Sequence, residues 1–449
     1  MGRPVQIPPR DDAARRDDRA RRAGPRHAAA QRRRARRRGA LLLTAAVVLV
    51  GAATASALLI LRGPDGGTAG GSAGAATAAV GHASPSPSPV CASPSPSPSP
   101  SPSPGTAGPA AWSGPSSAKL RLDLAHTVTG NISPKSVVST QTGYVFAQNM
   151  MYTHTVTVYD AETYKLVKTI DDSVDLAAYG HEGEATVQGA PVEAAVAADY
   201  ESVYVSQYSM YGPGYTHQGD DDIGPGSGVD RSFVYRIGLD DLSIDEVIKV
   251  GSVPKYLAAT PDGRYVLVSN WVSWDLSVID VARGRQVKLI DLGPFPRGIA
   301  VDSRSRYAYI AVMGSGNIAR LRLADFHLDW ITGVGSGPRH LCISPDDRWL
   351  YVTLNAEGTV GKIDLRTRKL VKKVYSGVLT RSMAIAPDGD SLYVVNYESS
   401  SVSKIRAADM KVLQQVATGW HPIGITYDAP TRAVWVACYG GSIMVFRDV

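Results

Sequence analysis

From Pro254 to Pro296, Pro338, Thr380 and Pro422 every step is 42 residues. Around these positions one phrase returns: "TPDGRYVLVSN" at 260–270, "SPDDRWLYVTLN" at 344–355 and "APDGDSLYVVN" at 386–396. A fixed period in the low forties means one supersecondary unit repeated, with each unit burying its apolar face against the next. Within residues 254–295 four short apolar runs are separated by turn formers: "YLAAT", "YVLVSN", "LSVIDV" and "QVKLIDL", with "PDGR" and "ARGR" between. Four antiparallel strands per unit make a blade, and blades set around an axis make a propeller.

Two less regular units lie upstream, starting at Pro134 and Pro191, which brings the starts to seven. The unit at Pro191 is about 21 residues too long, and "YGPGYTHQGDDDIGPGSGVDRS" (211–232) reads as a loop between its second and third strands. The unit at Pro134 carries extra residues around 177–189. The seventh unit stops after "SIMVF" and lacks a fourth strand. "LDLAHTVTG" (122–130) resembles the fourth strand of its neighbour, "KVLQQVATG" (411–419), so it is expected to pair into the last blade and leave no open edge.

The formal charge of +6 over 449 residues is unevenly spread. Residues 1–38 hold 14 Arg and 4 Asp, about +10, so the remainder is about −4. The basic character therefore belongs to a tail and does not mark the repeat region as a nucleic-acid binder. An uncharged apolar run at 40–61 is long enough for a helix to cross a hydrocarbon core of ~30 Å. The Arg run before it puts the N-terminus in the cytoplasm. A small-residue site at Ala55–Ala57 offers cleavage as the alternative. Gly/Ala-rich and then Ser-Pro-rich sequence follows, without large apolar side chains for a core. The expected organisation is a basic cytoplasmic tail (1–39), a transmembrane signal-anchor (40–61), a disordered linker or stalk (62–117), and an all-β, seven-bladed propeller of four-stranded blades (118–449). That places the chain at the cell membrane, single-pass, with the propeller on the extracytoplasmic side. The three cysteines, Cys91, Cys342 and Cys438, have no metal or redox spacing, and Cys342 in "LCIS" reads as a buried thiol.

"YVTL" (351–354), "YVVN" (393–396) and "LVSN" (267–270), each after a "PDG" or "PDD" turn, resemble the YVTN-repeat β-propellers. The resemblance covers roughly 118–449 and implies the fold. It leaves the activity open, because such propellers include surface proteins, binding proteins and relatives of enzyme subunits. Units four and seven depart from the motif ("SRSRYAYIAV", "APTRAVWVAC").

No G-x-S-x-G elbow, phosphate loop or H-E-x-x-H motif is present. The repeat itself points to one face. The residue after each unit's first position is Lys135, Lys255, Arg297, Arg339 and Arg381 in five units, with Val192 and Ile423 in the others. Strict period would set these cations round one mouth of the channel, with His340 and His421 next to them. Second-strand ends rich in amides and aromatics fall on the same face: Asn149, Asn270, Trp271, Asn355, Asn396, Tyr397 and Tyr439. Solvated turn charges are the plain alternative. A second group, His154, His181, Glu182, His217 and Asp220–Asp222, sits in loops expected on that face, and a divalent metal is the cofactor such residue types would take.

Three functions are consistent with this pattern. The first is a membrane-anchored ligand-binding or interaction scaffold, whose partner is an anionic ligand or a surface protein. The second is an extracytoplasmic hydrolase or oxidoreductase using a metal or polar site at the mouth. The third is a polyanion or single-stranded nucleic-acid binder stacking bases on Trp271 and Tyr397, against which the acidic balance of 118–449 argues.

Overall fold

A computed structural model describes residues 112–182 and 185–449. The proposed tail, anchor and most of the linker lie outside the described residues, among which no helix is long and apolar enough to cross a membrane.

Seven four-stranded antiparallel sheets follow one another round a central axis. The innermost strands are Ser136–Ser139, Pro191–Val196, Pro254–Ala259, Pro296–Val301, Pro338–Ile343, Thr380–Ile385 and Pro422–Asp428. Neighbouring innermost strands pack on one another round the ring. Second strands such as Tyr265–Asn270 and Ser391–Asn396 are buried along their whole length, which is why they read as continuous apolar runs rather than alternating ones. Outermost strands such as Lys369–Tyr375 and Arg285–Asp291 are mostly exposed and correspondingly charged. The core is a series of clusters between consecutive blades; one joins Leu267, Leu276 and Val278 of blade 3 to Ile310, Ala319 and Leu321 of blade 4.

The "PDG" turns are held by their own side chains. Thr260 Oγ1 donates to Asp262 Oδ1 at 2.5 Å, and the Tyr265 N–H donates back to Thr260 Oγ1 at 3.0 Å. Just before each innermost strand of blades 3 to 7 the chain passes through the left-handed region, at Val253, Phe295, Gly337, Leu379 and His421. Only Gly337 does so without the steric penalty of a Cβ.

The ring closes as the sequence predicts. Leu122–Thr129 pairs antiparallel with Ser442–Asp448, so the last blade is completed by the N-terminal strand. Docking begins ahead of the expected boundary at 118: the Ser117 N–H and Oγ bond Asp388 at 2.6 and 2.8 Å, and Trp112 packs near Tyr427. The 211–232 segment does lie between the second and third strands of blade 2, and 173–188 forms a small hairpin between blades 1 and 2.

Candidate functional site: a cationic channel mouth

The innermost strands carry matched layers of side chains. The layer after the entry residue is Lys135, Val192, Lys255, Arg297, Arg339, Arg381 and Ile423. Lys135, Lys255, Arg297 and Arg339 are each less than a tenth exposed, and Arg381 is partly buried. They are not splayed turn charges.

Two carboxylates answer the five cations. Glu193 Oε1 lies 3.4 Å from Lys135 Nζ and 3.2 Å from Arg297, and all three side chains are buried. Asp221, from the long loop of blade 2, lies 2.5 Å from Lys255 Nζ and accepts from the Tyr208 hydroxyl at 2.7 Å. Burial lowers the Lys255 pKa to about 7, against the pull of Asp221. Asp221, despite the cost of its own desolvation, is held well below the usual carboxylate range by Lys255. Burial also pushes Lys135 and Arg339 down, and the neighbouring guanidiniums push the same way.

Below the cations lies a second layer: Ser136, Glu193, Tyr256, Gly298, His340, Ser382 and Gly424. Several of these residues line a channel cavity of about 250 Å³, with Cys342 deeper in the same cavity. His340 belongs here and not to the rim. Its Nδ1 accepts from the Met383 N–H at 3.1 Å, which places the proton on Nε2, 2.8 Å from the Tyr256 hydroxyl. Burial and the nearby Arg297 and Arg339 lower its pKa to about 3, so it is neutral. Cys342 is half-buried rather than fully buried, its thiol pushed up to about 12 by its surroundings; it and Cys438 are free.

The amides expected at the mouth do other work. Asn270 is fully buried, and its Nδ2 donates to Asp275 at 2.6 Å and Ser277 at 2.8 Å on the third strand. Asn396 makes the same bonds to Ser401 and Ser403, Asn149 reaches Thr157, and Asn355 Nδ2 donates to the Thr380 carbonyl. Asn149, Asn270 and Asn396 thus tie second to third strands within their blades, and Asn355 ties blade 5 to blade 6. Trp271 is also covered: Lys255 Nζ sits 4.0 Å from its ring centroid, Phe295 packs at 4.8 Å, and its Nε1 donates to the Asp221 carbonyl. Tyr397 has Arg381 at 3.7 Å and the His421 ring at 4.0 Å. Neither ring presents a free face to a nucleobase. Trp420, which stacks on His421 at 3.6 Å and is largely exposed, is the mouth aromatic that sequence reading passed over.

The histidines proposed for a metal do not converge. His154 packs on Tyr211, His181 lies 2.6 Å from the Val247 carbonyl, and His217 Nδ1 pairs with Thr216. Among the described residues no three His, Cys, Asp or Glu side chains come together in a metal-holding group. Glu193 was the residue missed at the mouth. Its signal was available: aligning blade 2 on the 42-residue repeat puts it in the second layer, one place after the Val that interrupts the cations.

A family model described as the cytochrome D1 heme domain matches residues 332–437, about a quarter of the chain. No curated protein matches. Among solved structures the chain is similar to hydrazine synthase of Kuenenia stuttgartiensis, with 18% identity and a TM-score of 0.56 over 72% of this chain and 97% of that one. The likeness is one of fold. Both findings agree with a propeller, and neither covers the sequence closely enough to place it in a family.

Proposed function

We propose that the propeller binds an anionic small molecule at the cationic end of its channel. The observation that carries this reading is five inward-facing cations matched by two carboxylates. Burying like charges without counter-charge is costly, and an anion entering the mouth would offset that cost. The proposed setting is extracytoplasmic, with the domain tethered by 40–61.

A second reading, an oxidoreductase carrying a haem-type group, is favoured by the family match across 332–437, which contains Arg339, His340, Arg381, Tyr397 and His421. The cations would suit the carboxylates of such a group. His340 does not fit an iron, because both its nitrogens are committed beneath the cation layer; His421, stacked between Trp420 and Tyr397 with its Nδ1 unpartnered, is the residue that would hold one. The anion-binding reading needs no such ligand and rests on the cations alone.

Calorimetric titration of the full chain with phosphate, citrate and ATP at low ionic strength tests the first reading. Saturable binding of at least one, weakened by added salt, is expected. No saturable binding of any would overturn it. Titration with haem, followed by absorbance, tests the second; a stoichiometric complex with the spectrum of an axially ligated iron would establish it.

A further inference from the structure

The charges at the mouth are not evenly satisfied. Lys135 and Arg297 share Glu193, and Lys255 holds Asp221. Arg339 and Arg381 make no ion pair among the described residues. The hydrogen-bond contact of the Arg339 guanidinium is Met313 Sδ, 4.0 Å away, and the Nε atoms of both arginines are buried without a partner. Arg339 is less than a tenth exposed, so water does not solvate it freely.

Two phenols stand beside this pair. The Arg381 guanidinium carbon sits 3.7 Å from the centre of the Tyr397 ring, a contact that takes a face and uses no N–H donor. Tyr439 stands at 89° to Tyr397 with centroids 6.1 Å apart. Neither phenol donates to any described residue. Donor groups from three successive blades, Arg339 of blade 5, Arg381 and Tyr397 of blade 6 and Tyr439 of blade 7, are thus brought to one side of the mouth. A carboxylate offers acceptors in one plane, whereas a phosphoryl or sulfuryl group offers three oxygens arranged about a tetrahedron.

We infer that Arg339 and Arg381, with the hydroxyls of Tyr397 and Tyr439, form a built seat for a tetrahedral oxyanion on blades 5 to 7. The proposal rests on the anion-binding reading above and narrows it to one side of the mouth and one class of group. Lys135, Lys255 and Arg297 stay with their carboxylates.

The test is calorimetry on the full chain at pH 7 and low salt, using inorganic phosphate, sulfate and acetate. Phosphate should bind, and acetate should bind at least about tenfold more weakly. Arg339→Gln and Arg381→Gln should each lower phosphate affinity about tenfold or more, the usual scale of a charge-assisted hydrogen bond. Tyr439→Phe should lower it less, Lys255→Gln should lower it less than either arginine variant, and Lys372→Gln, on the exposed outermost strand of blade 5, should leave it within about twofold. Sulfate matching phosphate means that the seat reads charge and shape; phosphate alone means that it also reads the proton that phosphate carries at pH 7 and sulfate lacks. Equal losses for Lys255→Gln and Arg339→Gln would overturn the seat while leaving anion binding at the mouth intact. Acetate binding as tightly as phosphate would overturn the tetrahedral class. Failure of every anion, including citrate and ATP, would remove both readings. Unchanged circular dichroism of each variant separates lost binding from lost folding.

Discussion

At the scale of single residues, His340 shows how the channel sets chemistry. Its Nδ1 is taken by a backbone N–H and its Nε2 proton by Tyr256, so a second proton has no room and faces Arg297 and Arg339. The folded pKa of about 3 lies below the ordinary value of 6.5. Above pH 6.5 both folded and unfolded chains are neutral there, and the stabilisation is fully present. As pH falls, the unfolded chain takes up a proton that the folded one refuses, so stability is lost down to about pH 3. Each pH unit in that window is worth ~1.4 kcal/mol. Between pH 6.5 and 4.5 the wild type should lose about 2.5 kcal/mol more than His340→Gln, read from urea midpoints; parallel pH profiles would refute the assignment. A basic or imidazole side chain at a 42-residue period is legible as facing the channel. Whether it meets ligand or a neighbouring strand is not, because that depends on one step along the strand. Arg339 and His340 are consecutive and lie in different layers.

At the scale of elements, the closure of the ring was readable because its two halves keep the pattern of a blade even though the chain divides them. The latch that holds it was not. Lys404, on the third strand of blade 6, is fully buried and pairs with the fully buried Asp448 at the end of the last strand; the Tyr393 hydroxyl donates to the same carboxylate. Lys404 also donates to the Leu120 carbonyl at 3.0 Å, so one ammonium binds both chain ends of the propeller. Charged residues in a strand ordinarily read as a solvated edge, and only the packing of blade 7 against blade 6 shows otherwise. The strand-end asparagines misled in the opposite sense: an amide beside a mouth suggests a ligand, yet Asn270 and Asn396 turn inward to hold third strands. Lys404→Met should cost about 3–5 kcal/mol, since Asp448 is left buried and unpaired. The double variant Lys404→Met, Asp448→Asn should lose clearly less than the sum of the single changes, measured by denaturant unfolding. Strict additivity would mean that the pair does not act as a unit.

At the scale of the whole molecule, a closed ring of similar blades brings equivalent residues together at one mouth, and the repeat concentrates charge there. Blade 2 relieves part of that charge, by Glu193 and by the long loop that delivers Asp221; the loop was legible as an insertion on this face, whereas its pairing with Lys255 was not, because a loop carries no register. The result is a mouth with a neutralised side and an unneutralised one, which predicts opposite responses to the same substitution. Arg297→Gln removes one of two cations from the buried Glu193 and should destabilise the empty protein by about 2 kcal/mol. Arg339→Gln removes a buried charge that has no carboxylate and sits among other cations, so the empty protein should be unchanged or more stable by up to about 2 kcal/mol. Melting temperatures in a buffer free of multivalent anions should therefore move down for the first and level or up for the second. Adding phosphate should raise the melting temperature of the wild type by mass action and do so less for Arg339→Gln, which lacks part of the seat. If both variants fall equally and phosphate raises both alike, the cations form one uniform ring, and the division of the mouth into a paired and an unpaired side is wrong.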